Sequence, residues 1–228
     1  MTLKDEVESL LDDWVEGCIL SDIRQMLRRR SGGNYPVAAL LFSVIDLLGG
    51  LQRGNVEGDH RDNMIAFLNR YLAQVDPRYA TISYLLVDMF RHPLVHTSLS
   101  RSYKARGGRY TLRSAIYWEE DTRRRRHLIA RRKAHLVRKP YKGRDYLVVN
   151  DHVLHDDLMR ALALYRQDVL SGRYRRLSRR FSSAYARATS VVDLSQVRKR
   201  RDHATILARQ IGKVRRWPVT RAKCFADE

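Results

Sequence analysis

Cysteine is almost absent from this chain of 228 residues, which contains only Cys18 and Cys224. Two cysteines so far apart provide neither a disulfide framework nor a CxxC metal pair, so a reducing, cytoplasmic environment is expected. The sequence also lacks a P-loop, a GxGxxG fingerprint and a GxSxG elbow. These absences remove the common signatures of nucleotide-binding proteins and serine hydrolases.

Long hydrophobic runs are missing as well. The most apolar stretch, residues 37–45, stops at Asp46 and is too short to cross a bilayer. Residues 1–16 are acidic, whereas a signal peptide starts with positive charge. We therefore expect no targeting segment and no membrane partner.

Metal ligands are scarce. His152 and His155, together with Asp151, Asp156 and Asp157, have the composition of a metal cluster, but no cysteine or further histidine is nearby. Polar residues at this position are more typical of a helix start. The sequence predicts neither a metal site nor a cofactor.

Acidic residues are few compared with basic ones: 25 Asp and Glu against 44 Lys and Arg, a formal net charge of +19. The imbalance is confined to the second half. Residues 1–100 carry 10 basic and 13 acidic residues, a net of −3, and residues 101–228 carry 34 and 12, a net of +22. This asymmetry indicates a polyanionic partner for the second half, with RNA or DNA favoured over an anionic membrane.

Apolar residues recur at helical spacing through the first hundred positions. Thr2 is a candidate cap for the first helix. Residues 36–50 are apolar nearly all round, which predicts a central helix. Further helices are expected over 61–73 and from Tyr79 to about Arg91.

The pattern changes after Ser98 to short β-forming segments at residues 110–118, 134–138 and 145–149, which predict a small antiparallel sheet. A helix capped by Asn150 or Asp151 follows, and then basic helical segments at 174–189 and 196–213.

The predicted fold is therefore mainly α. It is an antiparallel helical bundle with a small antiparallel β insertion and a basic helical C-terminal extension. In chain order, the helical core, the β insertion, the closing and basic helices, and the extension cover residues 1–100, 101–150, 151–190 and 191–228.

One short motif combines an arginine with two histidines: Phe90-Arg91-His92-Pro93-Leu94-Val95-His96. Arg91 is a permanent cation suited to binding phosphate, and His96 can exchange protons near neutral pH. Residues five apart on a straight helix point about 140° apart, but Pro93 favours a bend. Either the bend brings both side chains to one side, or they meet across a dimer axis. The alternative is that Arg91 and His92 only terminate a helix and His96 is a loop histidine.

The motif and its context resemble the HEPN superfamily, whose signature is Arg-x(4–6)-His with a polar residue often just after the arginine. The order of the preceding helices, around 39–50 and 67–71, is similar too. The resemblance implies a helical bundle that usually dimerises. Carried over to this chain, it makes Arg91 and His96 the catalytic pair, with His92 as the polar neighbour and Asp46 as a supporting residue.

Many HEPN members are metal-independent ribonucleases of toxin–antitoxin, phage-defence or RNA-processing systems. The resemblance therefore implies a homodimeric, cytoplasmic endoribonuclease that acts as a toxin or defence effector, with an antitoxin or another defence protein as partner. The alternative is a non-catalytic RNA- or DNA-binding protein with the same fold. A third reading is a structural protein whose basic face contacts a ribonucleoprotein or a membrane.

Basic clusters with interleaved aromatic residues form the candidate nucleic-acid surface. A single cluster is usually a solvated surface, but several together favour a surface that tracks phosphates. The candidate phosphate-binding residues are Arg123, Arg124, Arg125, Arg126, Arg131, Arg132, Lys133, Arg175, Arg176, Arg179 and Arg180.

Overall fold

Helices dominate the computed structural model, which describes residues 1–28, 34–91, 102–104, 111–117 and 134–190. The chain divides into two compact units, Met1–Ala188 and Thr189–Glu228. All helices and strands of the described residues belong to the first unit.

The helical runs of the described residues are α1 (Leu3–Val7, Glu8–Leu20 and Ser21–Leu27), α2 (Asn34–Arg53), α3 (His60–Phe67, Leu68–Leu72 and Ala73–Val75), α4 (Arg78–Thr81, Ser83–Leu86 and Val87–Arg91), α5 (Asp151–Leu170) and α6 (Arg175–Ala188). Within these runs, the pieces with π-helical geometry are Glu8–Leu20, Leu68–Leu72 and Val87–Arg91. The strands are β1 (Ser102–Lys104), β2 (Thr111–Tyr117), β3 (Val137–Tyr141) and β4 (Arg144–Asn150).

Helix α1 begins with a capping box. The Thr2 hydroxyl accepts a hydrogen bond from the Asp5 N–H (3.3 Å), and the Asp5 carboxylate accepts one from the Thr2 N–H (2.7 Å). This reciprocal pair satisfies backbone donors that the first helical turn leaves without partners. The predicted cap is confirmed.

Helix α2 lies at the centre of the fold, as its apolar composition predicts. It contacts α1, α3, α4, α5 and α6. The window Tyr35–Arg53 is long and apolar enough to cross a membrane, but 67% of it is buried inside the protein. Helix α2 is therefore a core helix of this fold. Its buried apolar residues are Val37, Ala38, Leu41, Phe42, Val44, Ile45, Leu48 and Leu51.

The burial of α2 also bears on the expected homodimer. An apolar face left uncovered over residues 36–51 would favour association with a second copy. The helices of the same chain cover most of this face, and Leu40 is the one large apolar side chain within it that remains exposed (41%). The prediction of a homodimer therefore depends on the family resemblance alone.

Helix α3 approaches α2 very closely because α2 has a glycine at the contact. A Cβ atom on Gly49 would lie 2.0 Å from the carbonyl oxygen of Asn63. Asn63 is fully buried, and its Nδ2 donates to the carbonyl oxygens of Asn55 (2.8 Å) and Gly58 (2.9 Å) in the connecting loop. These contacts fix the start of α3, at His60, beside α2.

We expect Gly49→Ala to destabilise the protein. The added methyl group would overlap backbone atoms, which no side-chain rotation can relieve, and overpacking typically costs about 1–3 kcal/mol and occasionally more. Thermal unfolding measures the effect. Gly58→Ala is the matched control, because the nearest atom to its added Cβ is 3.6 Å away. Equal unfolding temperatures for Gly49→Ala and the wild type would contradict this packing.

The strands form one four-stranded sheet in the order β1-β2-β4-β3. The β1–β2 and β3–β4 pairs are antiparallel, but β2 and β4 are parallel. The sheet is therefore mixed, and the prediction of an antiparallel sheet was wrong in this respect. The β3–β4 hairpin turns at Lys142 and Gly143, both with positive φ, and occupies one edge of β4. Strand β2 pairs with the other edge, which places β4, with its buried run Leu147–Val149, inside the sheet.

Strand boundaries differ in part from the prediction. The segment expected at 134–138 becomes a strand only at Val137, directly after Leu136, whose φ of 51° is incompatible with extended backbone. The short strand β1 was not predicted.

Helices α5 and α6 close the core. Asn150 caps α5, since its side-chain oxygen accepts a hydrogen bond from the Val153 N–H (3.2 Å). Helix α5 contacts α1, α2, α3 and α6, and α6 packs against α2. The helix predicted at 174–189 is thus confirmed as α6, whereas the one predicted at 196–213 lies outside the described residues.

Candidate active site and nucleic-acid interface

The arginine–histidine motif begins at the end of helix α4. Phe90 is fully buried, and its ring stacks on that of Phe42 in α2 with centroids 5.7 Å apart. The described part of the helix extends to Arg91, and Val87–Arg91 has π-helical geometry, which is frequent at functional sites. His92, His96 and the side chain of Arg91 lie outside the described part of the chain, so the catalytic pairing stays a prediction.

Asp46, the supporting residue implied by the resemblance, lies one helical turn beyond Phe42 on α2. Its Oδ2 lies 3.0 Å from Nδ1 of His60, within ion-pair distance. The Asp46 side chain is only 11% exposed, whereas that of His60 is 46% exposed. Because the carboxylate engages Nδ1, Nε2 is the nitrogen left to exchange a proton with a ligand.

Two contacts join α4 to the helices that carry Asp46 and His60. On the α2 side, the aromatic stack described above joins the two helices. On the α3 side, Arg61 forms an ion pair with Asp88 at 3.4 Å, one turn before Arg91. The Asp46–His60 pair therefore joins two helices that both pack against the last part of α4.

Sequence reasoning did not find His60. No spacing rule joins it to Asp46, because a loop between two helices separates them. The contact follows from the close approach of Gly49 to Asn63, which sets the start of α3 against α2.

A buried polar cluster joins the start of α4 to the sheet and to α5. The Asn150 N–H donates to Nδ1 of His135 (3.0 Å), so the neutral ring carries its proton on Nε2. That proton is donated to the Tyr79 oxygen (2.8 Å), and the Tyr79 hydroxyl donates to Oδ2 of Asp157 (3.1 Å). These side chains are at most 1% exposed. They have no access to a ligand, so their role is to fix α4 in place.

Asp151, the first residue of α5, is a buried carboxyl group. Neither of its oxygens has a hydrogen-bond partner, and the residue is fully buried. Burial raises the pKa of Asp151 well above its usual range, because the charged form loses its hydration. The neutral acid therefore persists at pH values where an exposed aspartate is ionised.

We expect Asp151→Asn to change how stability depends on pH. Because the folded-state pKa is raised, the contribution of Asp151 to stability is fully present below its unfolded-state pKa, about 3.9. It is lost as the pH rises through the higher folded-state pKa. The amide does not ionise, so the stability of the variant relative to the wild type should increase from about pH 4 upward.

Unfolding temperatures measured between pH 4 and pH 8 test this expectation, with the exposed Asp13→Asn as control. Parallel stability curves for the wild type and Asp151→Asn would contradict it.

No group of three His, Cys, Asp or Glu side chains is arranged to hold a metal ion within residues 1–28, 34–91, 102–104, 111–117 and 134–190. The buried His155 instead lies with Nε2 3.3 Å from the carbonyl oxygen of Leu20 and Nδ1 3.4 Å from Asp156.

Helix α6 carries the described part of the predicted nucleic-acid surface. Its buried side faces the core through Leu177, Phe181, Ala184 and Tyr185. The other side carries four exposed arginines: Arg175, Arg176, Arg179 and Arg180. At about 100° per residue, these four arginines fall within an arc of about 140°. None of them forms an ion pair with a described carboxylate, so their charge is available to an external anion.

The remaining predicted phosphate-binding residues, Arg123–Arg126 and Arg131–Lys133, lie outside the described residues. Comparison with known proteins gives no further identification: no family model, no curated protein and no solved structure matches this chain.

Proposed function

We propose that the protein is a metal-independent endoribonuclease of the HEPN type, with Arg91 and His96 as the catalytic pair and His92 as their polar neighbour. The observation that carries the proposal is the Asp46–His60 pair (3.0 Å) on two helices that pack against α4. A carboxylate that engages one ring nitrogen orients the other for proton transfer. The resemblance supplies the motif, and this pair adds a second proton-transfer group on the helices that pack against α4.

The mechanism follows from the chemistry of these side chains. His96 takes the proton of a ribose 2′-hydroxyl, and the resulting alkoxide attacks the adjacent phosphorus. The Arg91 guanidinium stabilises the negative charge that develops on the phosphorane oxygens. A second histidine, either His60, His92 or the partner subunit's His96, protonates the leaving 5′ oxygen. The products are a 2′,3′-cyclic phosphate and a 5′-hydroxyl.

The resemblance also supports a biological setting. In it, the protein is a cytoplasmic toxin or phage-defence effector that acts as a homodimer with two motifs facing each other. An antitoxin or another protein of the same defence system would control its activity.

Incubation of the protein with labelled single-stranded RNA in EDTA tests the proposal. We expect cleavage that leaves cyclic phosphate and 5′-hydroxyl ends. An oligonucleotide with one 2′-deoxy sugar at a cleaved position should resist cleavage at that bond, because it lacks the nucleophile. Failure to degrade a broad pool of cellular RNA, or 5′-phosphate ends, would contradict the proposal.

A second function, RNA or DNA binding without catalysis, is favoured by the arginine face of α6. These arginines are exposed and have no carboxylate partner among the described residues, and phosphate contacts of this kind provide affinity without sequence readout. A protein that binds RNA with a steep salt dependence but never cleaves it would select this function.

A further inference from the structure

The two faces of the sheet differ in composition. Side chains alternate along each strand, and residues paired across neighbouring strands lie on the same face. The register therefore assigns every strand residue to one face. The inner face joins the hydrophobic core through its apolar side chains: Leu112, Ile116, Leu147 and Val149.

The outer face carries cations and tyrosines. Tyr146 on the central strand β4 is paired with Arg113 on β2 and with Lys139 on β3. Tyr141 is paired with Arg144 across the β3–β4 hairpin. Tyr146 is thus flanked by a basic side chain on each neighbouring strand, and Tyr141 by one on the single strand beside it.

Acidic side chains are absent from the described part of this outer face. Asp145, the acidic residue of the described strands, has the opposite orientation, because it alternates with Arg144 and Tyr146. It accepts two hydrogen bonds from Arg138, at 2.8 and 2.9 Å. The outer face is consequently cationic and fits a polyanion.

An open groove of about 280 Å³ lies on this face. Tyr141 is 57% exposed, and its ring centroid lies 6.5 Å from that of Tyr146 in an edge-to-face arrangement. The Lys142 ammonium lies 5.4 Å from the Tyr141 centroid. Five of the residues that line the groove belong to the outer face, Ala115, Lys139, Tyr141, Tyr146 and Val148, and the sixth is Ile116 of the inner face.

We propose that the outer face of the sheet binds single-stranded nucleic acid, with a base stacked on Tyr141 beside the groove. Lys142 and Arg144 then contact the flanking phosphates. Aromatic rings on a sheet surface next to cations are a recurring way to bind single strands, because every base offers a face for stacking. Bases inside a duplex are already stacked on their neighbours, so the site selects unpaired segments.

This binding site is independent of the catalytic proposal, since none of its residues belongs to the arginine–histidine motif. A 2′-O-methyl oligonucleotide of roughly ten nucleotides is a suitable probe, because it cannot be cleaved by 2′-hydroxyl attack. Binding of this probe to the full chain, followed by fluorescence anisotropy, therefore tests the sheet face whether or not the protein is a nuclease.

We expect Tyr141→Ala to weaken binding of the single strand by about tenfold, the scale for losing one base–aromatic stack. Tyr141→Phe should bind like the wild type, because the ring is kept. Tyr35→Ala is the matched control, since Tyr35 is also an exposed tyrosine (47%) but lies on α2. Duplex of the same sequence should bind Tyr141→Ala and the wild type equally.

Three results would overturn the proposal. The first is equal affinity of the wild type and Tyr141→Ala for the single strand. The second is a loss in Tyr141→Phe as large as in Tyr141→Ala, which would assign the effect to the hydroxyl group instead of the ring. The third is an equal loss for the duplex, which would assign it to general electrostatics.

Discussion

Replacing His96 by alanine is expected to lower the rate of RNA cleavage by about a hundredfold or more, the usual scale for losing a general acid–base group. Arg91→Ala is expected to cause a loss of similar size, because the guanidinium stabilises charge that develops only in the transition state. Arg91→Lys should rescue poorly, since an ammonium group cannot reproduce the planar, two-pronged donor of arginine. Single-turnover cleavage of a labelled single-stranded RNA measures all three rates.

The matched control for Arg91→Ala is Arg24→Ala, which removes the same charge from an exposed position on α1. RNA affinity should change little in any of these variants, because most phosphate contacts lie elsewhere. Equal rates for the wild type and His96→Ala would remove the ribonuclease assignment and point to a contaminating nuclease.

The variant His60→Ala identifies the general acid. A loss of activity comparable to that of His96→Ala assigns the acid role to His60. An unchanged rate leaves this role to His92 or to the partner subunit's His96.

The second large effect is expected for the double variant Arg175→Gln/Arg179→Gln on α6. Each phosphate contact to a single strand contributes about −0.7 to the slope of log affinity against log salt concentration, so losing two should make the slope shallower by about 1.4. With equal affinities at 1 M salt, this difference in slope makes the affinity of the double variant at 0.1 M salt about 25-fold lower than that of the wild type. Both arginines are exposed, so the fold should tolerate the change.

Arg24→Gln/Arg28→Gln provides a matched control, because it removes the same two charges at the same spacing from exposed positions in the last turn and the C-cap of α1. Filter binding across a salt series compares the two double variants with the wild type. Identical slopes for both variants would show that only total charge matters. An unchanged slope in Arg175→Gln/Arg179→Gln would show that this face of α6 does not contact phosphate.

The candidate site illustrates which contacts a sequence can reveal. Arg91 and His96 stand five residues apart, so their pairing is visible as a motif. The Asp46–His60 contact is not visible, because it depends on two helices meeting at Gly49. The hydrogen bond between Tyr79 and Asp157 joins residues 78 positions apart, a separation at which no periodicity applies.

The sequence by itself determined the features that depend on near neighbours. Thr2 and Asn150 cap their helices because each finds a donor within three residues. Helix α6 separates buried side chains from arginines because its apolar residues recur at the helical period. The division of charge between the two halves of the chain also follows directly from composition.

Tertiary structure decided the features that depend on which distant segments meet. Strand β2 pairs with β4 in the parallel direction, and strand periodicity would be the same in an antiparallel pair, so only the assembled sheet distinguishes the two. The raised pKa of Asp151 arises from complete burial, which its position at a helix start does not reveal. Local propensities act over a few residues, whereas burial, register and polar pairing are properties of the assembled core.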